Sequence, residues 1–259
     1  MSFKPNKNLG QHWLRDHDVL ESMCHFANLG TNDVVFEIGP GLGTLTKHLA
    51  AHAGQVIALE FDALLAQSLQ RNPPAKNVTI LHGDILTFDL TDLPKNYKVV
   101  ANLPYYITSK IVRLLLESSS PPQLATLLVQ KEVAQRMAAK PGEMSILAVA
   151  VQFYCEVSLG AVVPPALFTP PPEVDSQIIT LTKRNNPLFA DVDTKQYFKI
   201  VRAGFSEKRK KLRNSLSGGL QLPLQTTEQL LEQAGISADA RAQQLSLNDW
   251  YRLYKEQHD

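Results

Sequence analysis

The stretch Val34-Val35-Phe36-Glu37-Ile38-Gly39-Pro40-Gly41-Leu42-Gly43-Thr44 decides how the rest of the chain is read. Its first half is β-branched and aromatic, which suits a buried strand, and the run then breaks at Gly39, Pro40, Gly41 and Gly43. Residues Thr44 to His52 follow at once with apolar positions at helical spacing, so the glycine turn opens a helix whose N-terminal amides are free to face a ligand. Gln55 to Glu60 reads as a second strand, ending in a carboxylate suited to the two hydroxyls of a ribose. A tight turn that merely packs closely is the competing reading of the glycines.

The glycines fall as Gly-x-Gly-x-Gly, and Thr44 stands where a Gly-x-Gly-x-x-Gly dinucleotide fingerprint has its last glycine. No Lys-Ser/Thr pair follows, which argues against a phosphate-binding P-loop. Glu37 adds a second carboxylate beside the turn and favours a cationic ligand over a phosphorylated one. S-adenosylmethionine, with a sulfonium and no phosphate, fits best.

The chain has 259 residues, 44% of them hydrophobic, enough for one large core with a smaller satellite. A formal charge of +1 gives no global basic signal, so a nucleic-acid surface has to be local. Cys24 and Cys155 read as reduced, buried thiols, and no metal is expected. No apolar run reaches the roughly 20 residues of a membrane span and the N-terminus lacks a secretory core, so a cytoplasmic location is expected.

Met1 to Arg15 is polar and basic around Asn8-Leu9-Gly10-Gln11-His12-Trp13-Leu14; it reads either as a frayed tail or as a flap that folds over a cofactor. Asp18 to Leu29 follows as a helix. Beyond Glu60 come a helix over 62–69 and a third strand over 78–82, which runs into Gly83-Asp84. Asp84, at a strand's carboxyl end, lies on the same sheet edge as the glycine turn and suits an adenine amino group, although Gly-Asp turns are also common without a ligand. The alternation of strands and helices predicts a parallel, doubly wound sheet.

The fourth strand, Tyr97 to Ala101, runs into Asn102-Leu103-Pro104-Tyr105. This motif suits methylation of a planar exocyclic amine, whose lone pair is delocalised into its ring and attacks poorly. The Asn102 side-chain oxygen and the Leu103 carbonyl can accept its two N–H groups and draw the nitrogen toward a tetrahedral form. Pro104 fixes the direction of that carbonyl, and Tyr105 offers a ring face on which a base can stack. Further strands are expected over 124–129, 156–163 and 174–181, making seven, with helices over 109–117, 131–139 and 144–154. The proline-rich run Pro164 to Pro172 reads as a stiff loop whose Phe168 is either a core plug or a second wall that grips a flipped base against Tyr105.

From about Lys183 the strand signal ends and at least three helical patterns follow, so a domain boundary is expected between 184 and 185. Lys199 to Arg213 carries Lys199, Arg202, Lys208, Arg209, Lys210, Lys211 and Arg213 against one acid, Glu207. The run reads as a phosphate-contacting patch on a short helix, in preference to a solvated face.

Together these residues resemble the bacterial small-subunit ribosomal RNA adenine dimethyltransferase family. The resemblance extends over nearly the whole chain and adds Gln130-Lys131-Glu132, Val163 to Pro172 and Arg209-Lys210-Lys211-Leu212-Arg213-Asn214 to the motifs above; Trp13 stands where the family more often has Phe, and Tyr106 where Asn is common. It implies a Rossmann-like α/β methyltransferase domain over 1–184, with residues 1–15 covering the cofactor, and a small all-α RNA-docking domain over 185–259. It implies transfer of four methyl groups from S-adenosylmethionine to two adjacent adenines near the 3′ end of 16S RNA, within an immature small subunit, by a monomer. By the same resemblance His12, Leu14, Gly39, Glu60, Asp84 and Asn102 contact S-adenosylmethionine, joined by Gly41 of the glycine turn. DNA-adenine and protein-glutamine methyltransferases, large-subunit RNA dimethylases and a non-catalytic assembly or transcription factor are the alternatives. Leu103 in place of a proline, the Phe168 loop and the basic run favour the small-subunit branch.

Overall fold

A computed structural model describes Phe3, Pro5, residues 10–207 and residues 209–258. Asn8, Leu9, Lys4, Lys7 and Lys208 therefore lie outside the described residues. The chain divides into two compact units, one containing the residues up to Gln135 together with Cys155–Lys183, the other Arg136–Tyr154 with the residues from Arg184 onward.

The first unit is built on a seven-stranded sheet. Strands β2 (Val34–Ile38), β3 (Gln55–Glu60), β4 (Val78–His82), β5 (Lys98–Asn102) and β6 (Leu124–Gln130) are parallel, while β9 (Ser176–Lys183) joins antiparallel to β6 and to β7 (Cys155–Val163). The order across the sheet is β4-β3-β2-β5-β6-β9-β7. Since β3 lies on one side of β2 and β5 on the other, the chain changes direction across the sheet at β2, and a crevice opens at the carboxyl ends of these strands. The expected seven-stranded, mostly parallel sheet is the observed one.

Helices α1 (His17–Phe26), α2 (Thr44–His52), α3 (Ala63–Arg71) and α4 (Thr108–Glu117) cross between or precede these strands. Asp16 and Asp62 cap α1 and α3 by accepting backbone N–H groups. Gly43 caps α2 differently: with φ at +77° it is left-handed, and a Cβ there would lie 2.9 Å from Leu69 Cδ2. The core on the α1 and α2 side collects Leu20, Met23, Leu45, Leu49, Val56 and Val100 with Phe168 and Ile178.

Two short strands were not legible in the sequence. β1 (Trp13–Leu14) pairs antiparallel with β8 (Phe168–Thr169), in the register Trp13 to Thr169 and Leu14 to Phe168. The proline-rich segment is thus a strand partner for the N-terminal segment, and Leu14 and Phe168 are buried together in the core.

The second unit is helical: α6 (Ile146–Tyr154), α7 (Thr194–Gly204), α8 (Leu212–Leu220), α9 (Leu224–Gln233) and α10 (Leu247–His258). Its longer segment starts at Arg184, within one residue of the expected boundary at 184/185, and the departure from expectation is an additional segment, Arg136–Tyr154. Ala148, Val149 and Phe153 of α6 are buried in one cluster with Tyr197, Leu212, Leu231 and Trp250, so the segment from Arg136 to Tyr154 belongs with the helical unit although strand sequence follows it. The helix α5 (Lys131–Met137) spans the first crossing point. Both cysteines are buried thiols outside any disulfide among the described residues, Cys24 with its thiol pushed up to about 12 by burial.

Candidate active site

A cavity of about 380 Å³ lies at the carboxyl ends of β2, β3, β4 and β5 and takes in most of the residues singled out by the sequence. Gly39 and Gly41 come from the turn after β2, Glu60 from the end of β3, Asp84 from the turn after β4, and Asn102, Leu103, Pro104 and Tyr105 from the end of β5. Gly39 and Tyr105, 66 positions apart in the chain, meet there because parallel strands all present the same end to one sheet edge.

The glycine turn is organised by the carboxylate across from it. One Glu60 oxygen accepts from the Gly41 N–H at 2.9 Å and the other from the Asp62 N–H at 2.8 Å. Burial raises the Glu60 carboxyl above its ordinary value, and these N–H groups pull the other way. Gly39, at φ +73°, has no atom within 4 Å of where a Cβ would sit, so it leaves open the cavity that it lines. Gly41, at φ +58°, packs under the Trp13 ring, which a Cβ would approach to 3.3 Å. Asp84 uses one oxygen to accept from the Leu86 N–H at 2.9 Å.

The N-terminal segment forms one wall. Gly10, Gln11 and His12 line the cavity; His12 Nδ1 is 2.7 Å from the Pro170 carbonyl oxygen, and Thr44 Oγ1 donates to the Leu14 carbonyl at 2.8 Å. The Asn102 side-chain amide donates to the His12 carbonyl at 3.0 Å. Because a carbonyl can only accept, that bond assigns the amide nitrogen to His12 and leaves the Asn102 side-chain oxygen on the other side. The Leu103 N–H is tied to the Leu128 carbonyl at 3.1 Å, while among the described residues no group donates to the Leu103 carbonyl. Tyr105 stacks on His12, ring centroids 5.7 Å apart and planes 18° apart, and its hydroxyl is 2.6 Å from Ser176 Oγ. Burial raises the Tyr105 phenol above its usual value, keeping it neutral.

Two expectations are corrected. Phe168 is 3% exposed, lies in the core and lines no part of the cavity, so it is not a wall opposite Tyr105; its pairing with Leu14 turns the side chain inward. The Leu14 side chain is buried beside it, and its backbone carbonyl accepts from Thr44 near the turn. Glu37 is also absent from the lining, 1% exposed, with burial pushing its carboxyl up to about 8, so it is mostly protonated at neutral pH and a poor counter-charge for a cationic ligand.

Sequence reasoning missed Phe61, Ile85 and Leu86, and Lys110, and met Tyr106 only as a departure from the family; Phe61, Ile85, Leu86 and Tyr106 give the cavity apolar and aromatic walls. The signal was adjacency: each of these four wall residues stands one or two residues beyond a strand-end residue already singled out, and Phe61, Leu86 and Tyr106 are large apolar side chains left exposed.

The basic run lies in the helical unit, and its layout also differs from expectation. Residues 205–207 and 209–211 lie between α7 and α8 in turn and irregular backbone instead of a helix. Lys210 pairs with Glu207 at 2.6 Å, Lys211 with Asp239 at 3.0 Å, and Arg213 with Glu228 at 3.1 Å and Asp239 at 3.2 Å. Acids distant in sequence thus engage Lys211 and Arg213, and the neighbouring Glu207 engages Lys210. Arg202 and Arg209 are exposed, with no ion pair among the described residues.

Comparison with known proteins gives the same picture over the full length. The model of the ribosomal RNA adenine dimethylase family matches residues 2–259. A ribosomal RNA small subunit methyltransferase A from Dehalococcoides mccartyi is 44% identical over 256 residues, covering 97% of this chain and 88% of that protein. Its counterpart in Clostridium botulinum is 40% identical, covering 97% and 93%. Among solved structures, a dimethyladenosine transferase from Plasmodium falciparum superposes with a TM-score of 0.79 at 26% identity, over 93% of this chain and 96% of that one. The 23S rRNA methyltransferase ErmE superposes with a TM-score of 0.76 at 30% identity, over 94% and 98%. With a family match that spans the described fold and every strand-end motif of the cavity, this chain belongs to the ribosomal RNA adenine dimethylase family.

Proposed function

We propose that this protein dimethylates the N6 amines of two adjacent adenosines in a hairpin near the 3′ end of 16S rRNA, acting as a cytoplasmic monomer on an immature small ribosomal subunit. S-adenosylmethionine supplies the electrophilic methyl groups. The fit of this cosubstrate rests on the open cavity at Gly39 and on the paired oxygens of Glu60, which present acceptors to a ribose where a phosphate would be repelled. Asp84 suits the adenine amino group, and Phe61, Ile85 and Leu86 suit its ring.

The observation that carries the reading is the orientation of Asn102. Its amide nitrogen is committed to the His12 carbonyl, so its oxygen and the Leu103 carbonyl are two preset acceptors at one strand end. An exocyclic amine that donates to both is held with its lone pair turned out of conjugation, and no reorganisation is needed at the moment of reaction. The proton becomes acidic once the nitrogen carries the extra methyl group, so no charged base is required. The neutral Tyr105 phenol agrees with that, and with His12 against one of its ring faces the target base has the other on which to stack.

The curated relatives' names favour the small subunit, and the likeness to ErmE makes a 23S target the second reading. Mass spectrometry of both RNAs after incubation with immature small subunits and with 23S rRNA decides between them; dimethylation confined to 23S rRNA would overturn the proposal. Asn102→Ala should bind RNA as the parent does and methylate at least about a hundredfold more slowly in single turnover, the scale of losing a preorganised acceptor.

A further inference from the structure

Three of the seven histidines gather around one glutamate on the helical face of the sheet unit, and none of these residues lines the cavity. His17 and Glu21 are one turn apart on α1, and His48 and His52 repeat that spacing on α2. Glu21 Oε1 is 2.6 Å from His48 Nδ1 and Oε2 is 2.8 Å from His52 Nε2, while the His17 and His48 rings are 5.0 Å apart between centroids. One donor atom each from His17, Glu21 and His48 fall within 4.8 Å of one another.

We propose that His17, Glu21 and His48 bind a divalent first-row transition-metal ion, Zn²⁺ by preference, with His52 holding the second oxygen of Glu21. Two imidazoles and a carboxylate, with water in the fourth position, form an established zinc donor set. Nitrogen donors select against Mg²⁺ and Ca²⁺, which require oxygen cages. Tetrahedral zinc places its donors about 3.3–3.5 Å apart, so His17 has to close by roughly an ångström while the Glu21 to His48 contact opens. Side-chain rotation suffices, because His17 is exposed and Glu21 and His48 are half-buried. The partners recorded for Glu21 are both imidazoles; no lysine or arginine competes for its charge among the described residues. His52 then plays the part usual for an outer hydrogen bond to a ligating carboxylate.

The site joins two helices that matter elsewhere. α1 continues from the segment whose Gly10 to His12 line the cavity, α2 begins at the Gly43 turn, and Thr44 already ties α2 to Leu14. A metal across α1 and α2 is a second staple between the same parts. It was not legible in the sequence, where the pairs stand 27 and 31 residues apart.

Calorimetric titration of the chelator-treated full-length protein with Zn²⁺ tests this directly. One equivalent should bind with micromolar affinity or better, and zinc at about a hundredfold above Kd should raise Tm by several degrees. His17→Gln and His48→Gln should each weaken binding at least about tenfold, His52→Gln about tenfold, and His258→Gln not at all. Co²⁺ should give the visible absorption of a tetrahedral site in the parent and lose it in His17→Gln, an exposed change that leaves the fold intact. Absence of zinc heat and of a Tm shift would overturn the proposal, as would undiminished affinity in the His17→Gln/His48→Gln double variant; the cluster would then be a hydrogen-bonded carboxylate only.

Discussion

Phe168 and Glu37 show how burial reassigns a residue. An aromatic in a proline-rich stretch invites a functional reading, yet Phe168 pairs through its backbone with Leu14 and sits among Leu20, Leu49 and Ile178. Phe168→Ala should therefore cost about 3–5 kcal/mol of stability in urea denaturation, the scale of an emptied aromatic site, and leave KM for the RNA near the parent value once folded. Glu37 carries a pH signature. Its carboxyl ionises near 4.5 when unfolded and near 8 when folded, burial being the main cause and the charge of Glu60 acting in the same direction. Across that window the folded state keeps a proton that the unfolded state has released, so stability falls as pH rises from about 4.5 to about 8. Glu37→Gln resembles the protonated form. Urea midpoints at pH 5 and pH 8 should differ less in the variant, with its advantage over the parent larger at pH 8.

The glycine turn between β2 and α2 works as an element whose positions have different duties. Gly39 and Gly43 are both left-handed, at φ +73° and +77°, so an alanine at either is strained by about 1–2 kcal/mol. Their surroundings separate them. A Cβ at Gly43 meets Leu69 at 2.9 Å and Pro74 at 3.2 Å, whereas one at Gly39 meets no protein atom within 4 Å. Gly43→Ala should thus lose the more stability in thermal unfolding while keeping cofactor affinity. Gly39→Ala should be the milder change for the fold and the one that weakens S-adenosylmethionine in calorimetry.

At the scale of the molecule, the chemistry-bearing residues lie in the sheet unit and the basic run in the helical unit. Phosphate contacts position a nucleic acid and release counterions, so each contributes up to about 0.9 to the slope of log affinity against log salt. The ion pairs of Lys210, Lys211 and Arg213 reduce what those side chains have to offer. Arg202→Gln with Arg209→Gln should flatten the slope by up to about 1.8, and Lys210→Gln with Lys211→Gln by clearly less. Filter binding across a salt series reads both. Equal flattening by the two pairs would mean that the acids of the helical unit release their lysines on docking.

The seven strands of the main sheet, the glycine turn, Glu60, Asp84 and the Asn102 motif were legible in the chain, because each rests on local periodicity, on turn chemistry or on the rule that parallel strands deliver their carboxyl ends to one edge. What the sequence left open depends on partners far away in the chain. The pairing of Trp13 and Leu14 with Phe168 and Thr169, the membership of α6 in the helical core, and the acids that engage Lys211 and Arg213 join segments up to 156 residues apart. Apolar burial is not directional: Phe168 and the α6 side chains fit many cores equally well by composition, and only the completed packing selects which one excludes water from them.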